Sequence, residues 1–374
     1  MAADSRRPSR PALTGSTGRP REGVITGYLF KTVREQIPLT QPGLAEALGV
    51  DSTTIQGWES GRRPLTATRA GTLRSITRKL IQLGAPAEVL RLLDEAVDAD
   101  AIVSHAMSGP PTNRMSDHPL SGWVFTRNTT HLLAWALNGT PPAALPAQPA
   151  RRRHGPTASS PLLPADERAA FFAHMRRAAE LADQAGVSGA LLRRQALYLS
   201  SYDRATDTHR WLADMRKTTH HPKGWTLHWA DTRSLAASLT RHGDNEPMQA
   251  FIRHGMGTET GEIANLNYWA YWLGIDRIPR SDDTFMVDTT GGHWDGLTLL
   301  RGLTNRLTPG LGCIDLNAHS VWALLTARRG LLAADPSLNT ELSTRVSALL
   351  DGNSISAQTR RELEAVHYGL NLHT

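Results

Sequence analysis

The chain has a single cysteine among its 374 residues, Cys313, which excludes an internal disulfide, a multi-cysteine zinc site and an iron–sulfur cluster. As a lone residue it reads as a small apolar side chain. No run of eighteen apolar residues occurs, so a membrane-spanning helix is not expected. The first 22 residues, rich in Arg, Pro, Ser and Gly, lack the apolar stretch of a secretory signal. A cytoplasmic, nucleoid-associated protein with no membrane partner is expected. Strand-like alternation is missing, as are a nucleophile elbow, a phosphate-cradling glycine loop and a paired-carboxylate arrangement. The expectation is therefore a protein that is not an enzyme, with no catalytic residue, no metal and no cofactor.

What is present is enough material for two or three folded domains, with 40% of residues hydrophobic. The net charge of +6 is unevenly placed. Residues 1–85 carry 13 Lys and Arg against 6 Asp and Glu, a balance of +7, which leaves −1 for the remainder. A basic N-terminal segment on a neutral body suggests a polyanion-binding module joined to something else.

Residues 1–22 bury too little apolar surface to offset the entropy of ordering, so a disordered basic arm is expected there. Helical spacing of apolar residues follows over residues 23–85, interrupted at Pro38, Gly49, Gly61 and Gly84. A helical connector is expected over 86–140, with one amphipathic helix over 87–102. A linker is expected over 141–164, where prolines surround the arginines at 151–153. The segments 165–185, 188–202, 206–218, 225–242, 246–255, 259–273, 293–307, 317–334, 338–351 and 356–370 each read as a helix. Residues 165–374 thus form an α-helical domain of stacked helix pairs, and the fold class is all-α. No fixed repeat period is present.

The most informative stretch is LTQPGLAEALGVDSTTIQGWESGRRP, residues 39–64. Thr40 is placed to cap a short helix whose inner face is Leu44, Ala45 and Leu48, and Gly49 allows the tight turn into a second helix. Ala45 is small where the two helices meet. Val50, Ile55 and Trp58 supply the buried side of the second helix, and Gly61 ends it. With that face buried, Asp51, Ser52, Thr53, Gln56 and Gly57 fall on the outer side.

This stretch resembles the phage-repressor and Cro-like helix-turn-helix family, also called the xenobiotic-response-element family, in the form common in actinomycetes. The resemblance implies a five-helix N-terminal DNA-binding domain whose second motif helix enters the major groove. Ser52, Thr53, Gln56 and Gly57 are then the base-contact positions. Gln56 suits paired hydrogen bonds to adenine, while Gly57 stands where the family commonly has a longer polar side chain. Asp51 would be repelled by phosphate and caps the helix instead. The resemblance further implies phosphate contacts from Gln41, Ser60, Arg62 and Arg63, and a structural salt bridge between Arg34 and Glu59.

Three other features invite a functional reading. His220, His221 and His228 lie close in sequence but without metal-ligand spacing. The run Asp288 to Gly296, with His293 between Asp288 and Asp295, reads as a turn before a helix. Tyr268, Trp269, Tyr271 and Trp272 spread around one helix, so ordinary packing, a dimer contact and a ligand surface all remain open. Together these features predict a sequence-specific transcription regulator. It binds double-stranded DNA as a homodimer on a palindromic operator, and its helical body dimerises or senses a small-molecule or peptide effector. A DNA-tethered adaptor for a partner protein, and a plasmid or phage replication or maintenance protein, are the alternatives.

Overall fold

The computed structural model describes residues 22–112, 114–145, 160–217, 223–288, 294–308 and 312–372, and no strand occurs among them. The N-terminal part consists of α1 (Val24–Gln36), α2 (Gln41–Leu48), α3 (Ser52–Glu59), α4 (Ala70–Gln82), α5 (Ala87–Leu90), α6 (Leu92–Met107) and α7 (Arg127–Asn138). There follow α8 (Ala165–Gln184), α9 (Ala190–Ser200), α10 (Thr208–Lys217), α11 (Trp229–Arg241), α12 (Glu246–Gly255) and α13 (Glu259–Trp272). The last are α14 (Gly296–Thr304), α15 (Ile314–Ala327), α16 (Leu331–Ala334), α17 (Pro336–Asp351) and α18 (Ala357–Asn371).

Many of these helices begin where a side chain satisfies an otherwise free N–H. Thr40 caps α2, Thr126 caps α7, Thr258 caps α13, Asp295 caps α14, Asp335 caps α17 and Ser356 caps α18. Asp295 therefore serves a helix start, as the turn reading implied, while His293 lies outside the described residues.

The sequence reading needs correction at two helices. The single helix expected over 87–102 breaks at Arg91, and its longer part runs on to Met107. The helix expected over 317–334 starts earlier, at Ile314. It stops at Arg328, whose φ of −132° and ψ of 74° leave the helical region and separate α15 from the short α16.

The linker does not divide the described structure into two bodies. One hydrophobic core continues from Ile25 to Leu370. Leu163 donates its N–H to the Ala136 carbonyl at 2.9 Å, returning the chain to α7 before α8 begins. Residues 146–159, including the arginines at 151–153, lie outside the described residues, as do residues 1–21 of the N-terminal arm.

Helix α6 is the joint, since it packs against α1, α7 and α8. Its Asp100, only 4% exposed, accepts from the Ile25 N–H at 2.9 Å and from the Thr26 N–H and hydroxyl at 2.8 and 2.5 Å. A carboxylate there answers the free N–H groups and positive end of α1. The Tyr28 ring meets Trp135 of α7 edge-on, with centroids 5.0 Å apart. The first helix of the expected DNA-binding module is thus fastened to the helices behind it.

Candidate nucleic-acid interface

Helices α2 and α3 meet at Gly49, which has φ 67° as glycine readily allows. Leu44, Ala45, Ile55 and Trp58 are buried, and Trp58 packs edge-on against Phe30 of α1 at 5.7 Å. Where α1 crosses α3, Gly27 fits so closely that an added Cβ would lie 2.3 Å from the Trp58 carbonyl oxygen. This contact fixes how far α3 stands from α1.

Around the end of α3 a charged cluster locks the geometry. Arg34 grips Glu59 with Nε and NH2, and its NH1 donates to the Leu39 carbonyl at 2.8 Å. The pair expected from the sequence is thus formed, in the two-pronged arrangement that guanidinium and carboxylate favour. Gln41 joins it by donating from Nε2 to Glu59 at 2.6 Å. One of the two amide hydrogens of Gln41 is therefore taken, and the other is left for a partner outside.

The outer side of α3 presents Thr53 and Gln56 exposed and Ser52 half-buried. Asp51 occupies the N-cap position with extended backbone, but its side chain makes no capping hydrogen bond. Gly57 departs from its expected outward placement. It is buried, because the Arg63 stem lies over it: a Cβ at Gly57 would sit 3.1 Å from Arg63 Cδ. The Arg63 N–H also donates to the Gly57 carbonyl at 3.0 Å. Arg63 therefore covers the strip of helix that a larger residue at position 57 would occupy. Ser60, Arg62 and Arg63 remain exposed beside α3.

Sequence reasoning missed the extent of the positive flank. Between residues 60 and 87 there are Arg62, Arg63, Arg69, Arg74, Arg78 and Lys79 but no Asp or Glu. Arg69, Arg74 and Arg78 are exposed around α4. The signal lies in the sequence as a charge run without local helix periodicity.

The four aromatics on α13 require a correction. Tyr268, Trp269, Tyr271 and Trp272 are 3–6% exposed, so none offers an outer surface for a dimer. Neighbours enclose α13 on several sides. Trp269 Nε1 donates to Ser320 of α15 at 2.9 Å, the Tyr271 hydroxyl donates to the Val124 carbonyl, and Tyr268 stacks on Trp272 at 5.9 Å.

The histidines that meet are not those grouped by sequence. His220 and His221 lie outside the described residues. His105, His118 and His174 come together instead, with one ring nitrogen from each lying within 4.8 Å of the others, beside a recess of about 180 Å³. Their wide separation along the chain left no spacing signal. The Leu120 N–H donates to His118 Nδ1 at 3.1 Å, which puts the His118 proton on Nε2. His174 Nδ1 lies 2.9 Å from the Gly109 carbonyl, so it carries a proton and leaves Nε2 as a lone pair. Holding a divalent cation would require His118 to lose its remaining N–H. The cluster thus reads as three neutral imidazoles, and burial together with its two histidine neighbours pushes His118 down to about 3.

Comparison with family models, with curated proteins and with solved structures returned no match.

Proposed function

We propose that this chain is a sequence-specific DNA-binding transcription regulator of the phage-repressor and Cro-like helix-turn-helix type, working as a homodimer. The observation that carries this reading is the exposed Thr53 and Gln56 face of α3 beside Arg62, Arg63 and the acid-free stretch through residue 87. Gln56 offers a donor and an acceptor to an adenine edge in the major groove, while Ser52 and Thr53 reach a base edge, a thymine methyl group or a phosphate. The free amide hydrogen of Gln41, with Ser60, Arg62 and Arg63, anchors the flanking phosphates. Arg34 and Glu59 touch no base; they hold α3 at the angle this docking needs.

A single short helix reads few base pairs. Two copies related by a two-fold axis place two such helices about one DNA turn apart, roughly 34 Å, on a palindromic operator.

Fluorescence anisotropy of a labelled duplex, titrated with the full chain at several salt concentrations, tests the charge assignment. The logarithm of affinity should fall steeply with the logarithm of salt, and Arg62→Ala with Arg63→Ala should reduce that slope by about 1.8. A slope unchanged in the double variant contradicts the placement of DNA against this face.

A further inference from the structure

The buried arginines other than Arg233 have carboxylates. Arg34 has Glu59, Arg193 has Asp183 and Asp231, and Arg194 has Asp283. Buried Arg233, half-buried Arg127 and Arg306, and exposed Arg241 have none among the described residues. The undescribed segments between residues 113 and 311 contain no Asp or Glu, so they supply none either. Arg233 is 6% exposed, and its Nε is buried without a hydrogen-bond partner. The hydrogen-bond partners of Arg241 and Arg306 are neutral: Arg241 donates to the Ser201 hydroxyl, and Arg306 Nε lies 3.4 Å from the Asn317 amide oxygen.

Aromatic rings bring three of these arginines into one region. Arg233 sits 4.1 Å from the Tyr268 centroid and 5.1 Å from that of Trp269, and Arg306 is 5.0 Å from the same Trp269 ring. Arg241 lies 4.7 Å from Tyr198 and 4.2 Å from Tyr202. Tyr198 meets Trp272 at 5.6 Å, and Trp272 stacks on Tyr268, which closes the chain of rings. His131 and Arg127 of α7 face the same group. His131 is pushed down to about 4 by burial and by the positive charges of Arg127, Arg306 and Arg241.

The cluster reaches the surface: Arg241 is exposed, and Arg306, Tyr198 and Cys313 are half-buried. Cys313, at φ 49°, takes a backbone conformation uncommon for a non-glycine residue at the N-cap of α15, beside Arg233, Arg241 and Arg306. The free N–H groups of that fourteen-residue helix start here.

We propose that this arginine cluster, open to water at Arg241, binds a small phosphorylated molecule. Gathering four like charges without counter-charge is unfavourable in an empty site and favourable around a multivalent anion. A guanidinium held near an aromatic ring keeps its N–H fork ordered for a phosphate oxygen pair, so little freedom is lost on binding. Phosphate also satisfies the α15 N–H groups in the same place. Binding of the anion stands apart from the DNA reading; only its use as an effector rests on that reading.

Inorganic pyrophosphate is the probe, added to the full chain and compared with sodium chloride at matched ionic strength. The expected result is a saturable rise of several degrees in Tm, with a saturable change in tryptophan fluorescence. Arg241→Gln and Arg306→Gln, at positions open to water, should each weaken binding at least ten-fold. Without the anion, Arg306→Gln should melt no lower than the parent chain, because burial already disfavours the charge that it removes. No response beyond that of sodium chloride, or an equal response in both variants and the parent, overturns the proposal. Both readouts are taken without DNA, so failure of the DNA reading leaves them intact.

Discussion

Among single residues, Gln56 and Arg62 separate two kinds of contact. Gln56→Ala should cost about 1–3 kcal/mol at one base position and relax specificity there, whereas Arg62→Ala should weaken binding to all sequences alike. Anisotropy against a preferred duplex and its single-base variants distinguishes the two effects, and identical profiles would contradict the assignments. His118 provides a test that does not involve DNA. Its folded value of about 3 lies below the ordinary histidine value of 6.5, so the unfolded chain takes up the proton first as pH falls. Stability is therefore retained above about pH 6.5 and lost towards pH 3, by an amount on the order of 3–5 kcal/mol. Asp100 acts oppositely: burial holds its carboxyl at about 6, so its own contribution declines as pH rises through about 4 to 6. Urea unfolding of the parent and His118→Asn across this range isolates the histidine, because the Asn side chain retains an acceptor for Leu120. Parallel pH profiles would refute the assignment. Ile55, Trp58 and the Arg34–Glu59 pair were legible in the sequence because local periodicity or motif position places them. Gly57 was legible only as a departure, since nothing local says that the stem of Arg63 folds back over it.

For the elements, the position of α3 depends on two contacts far apart in sequence. Gly27→Ala forces a methyl group against the Trp58 carbonyl, so α1 and α3 must separate. The expected loss is roughly 1–3 kcal/mol of stability, accompanied by a more than ten-fold loss of DNA affinity. Thermal melting and anisotropy on the same preparation check both, and unchanged affinity would mean that α3 does not need this spacing. Asp100→Ala leaves the Ile25 and Thr26 N–H groups without their carboxylate, a cost of roughly 2–4 kcal/mol measurable by urea unfolding. Most helices were readable from apolar spacing, although α15 and α16 were merged because the backbone change at Arg328 has no strong sequence signal. The clamp of α6 on α1 was not readable, since an acidic residue at position 100 looks like any solvent-facing residue of an amphipathic helix.

For the whole molecule, the sequence suggested two modules on a linker, and the described residues form one continuous core. The chain composition marks a Pro-rich connection but cannot reveal that Leu163 returns to α7. Continuity gives the arginine cluster among α7, α9, α11, α13 and α15 a packed route to α1, through α6, whose neighbours include both α1 and α8. No described helix is long and apolar enough to cross a membrane. The all-helical architecture agrees with the sequence reading, whereas the four α13 aromatics show that charge and aromatic content alone do not separate core from surface. Specific DNA recognition by a two-fold pair of α3 helices is the central claim, and selecting bound duplexes from a random pool with the full chain at near-physiological salt tests it most directly. An enriched palindrome with half-sites about one helical turn apart is the expected result. Binding without sequence enrichment, or no binding at all, would contradict it.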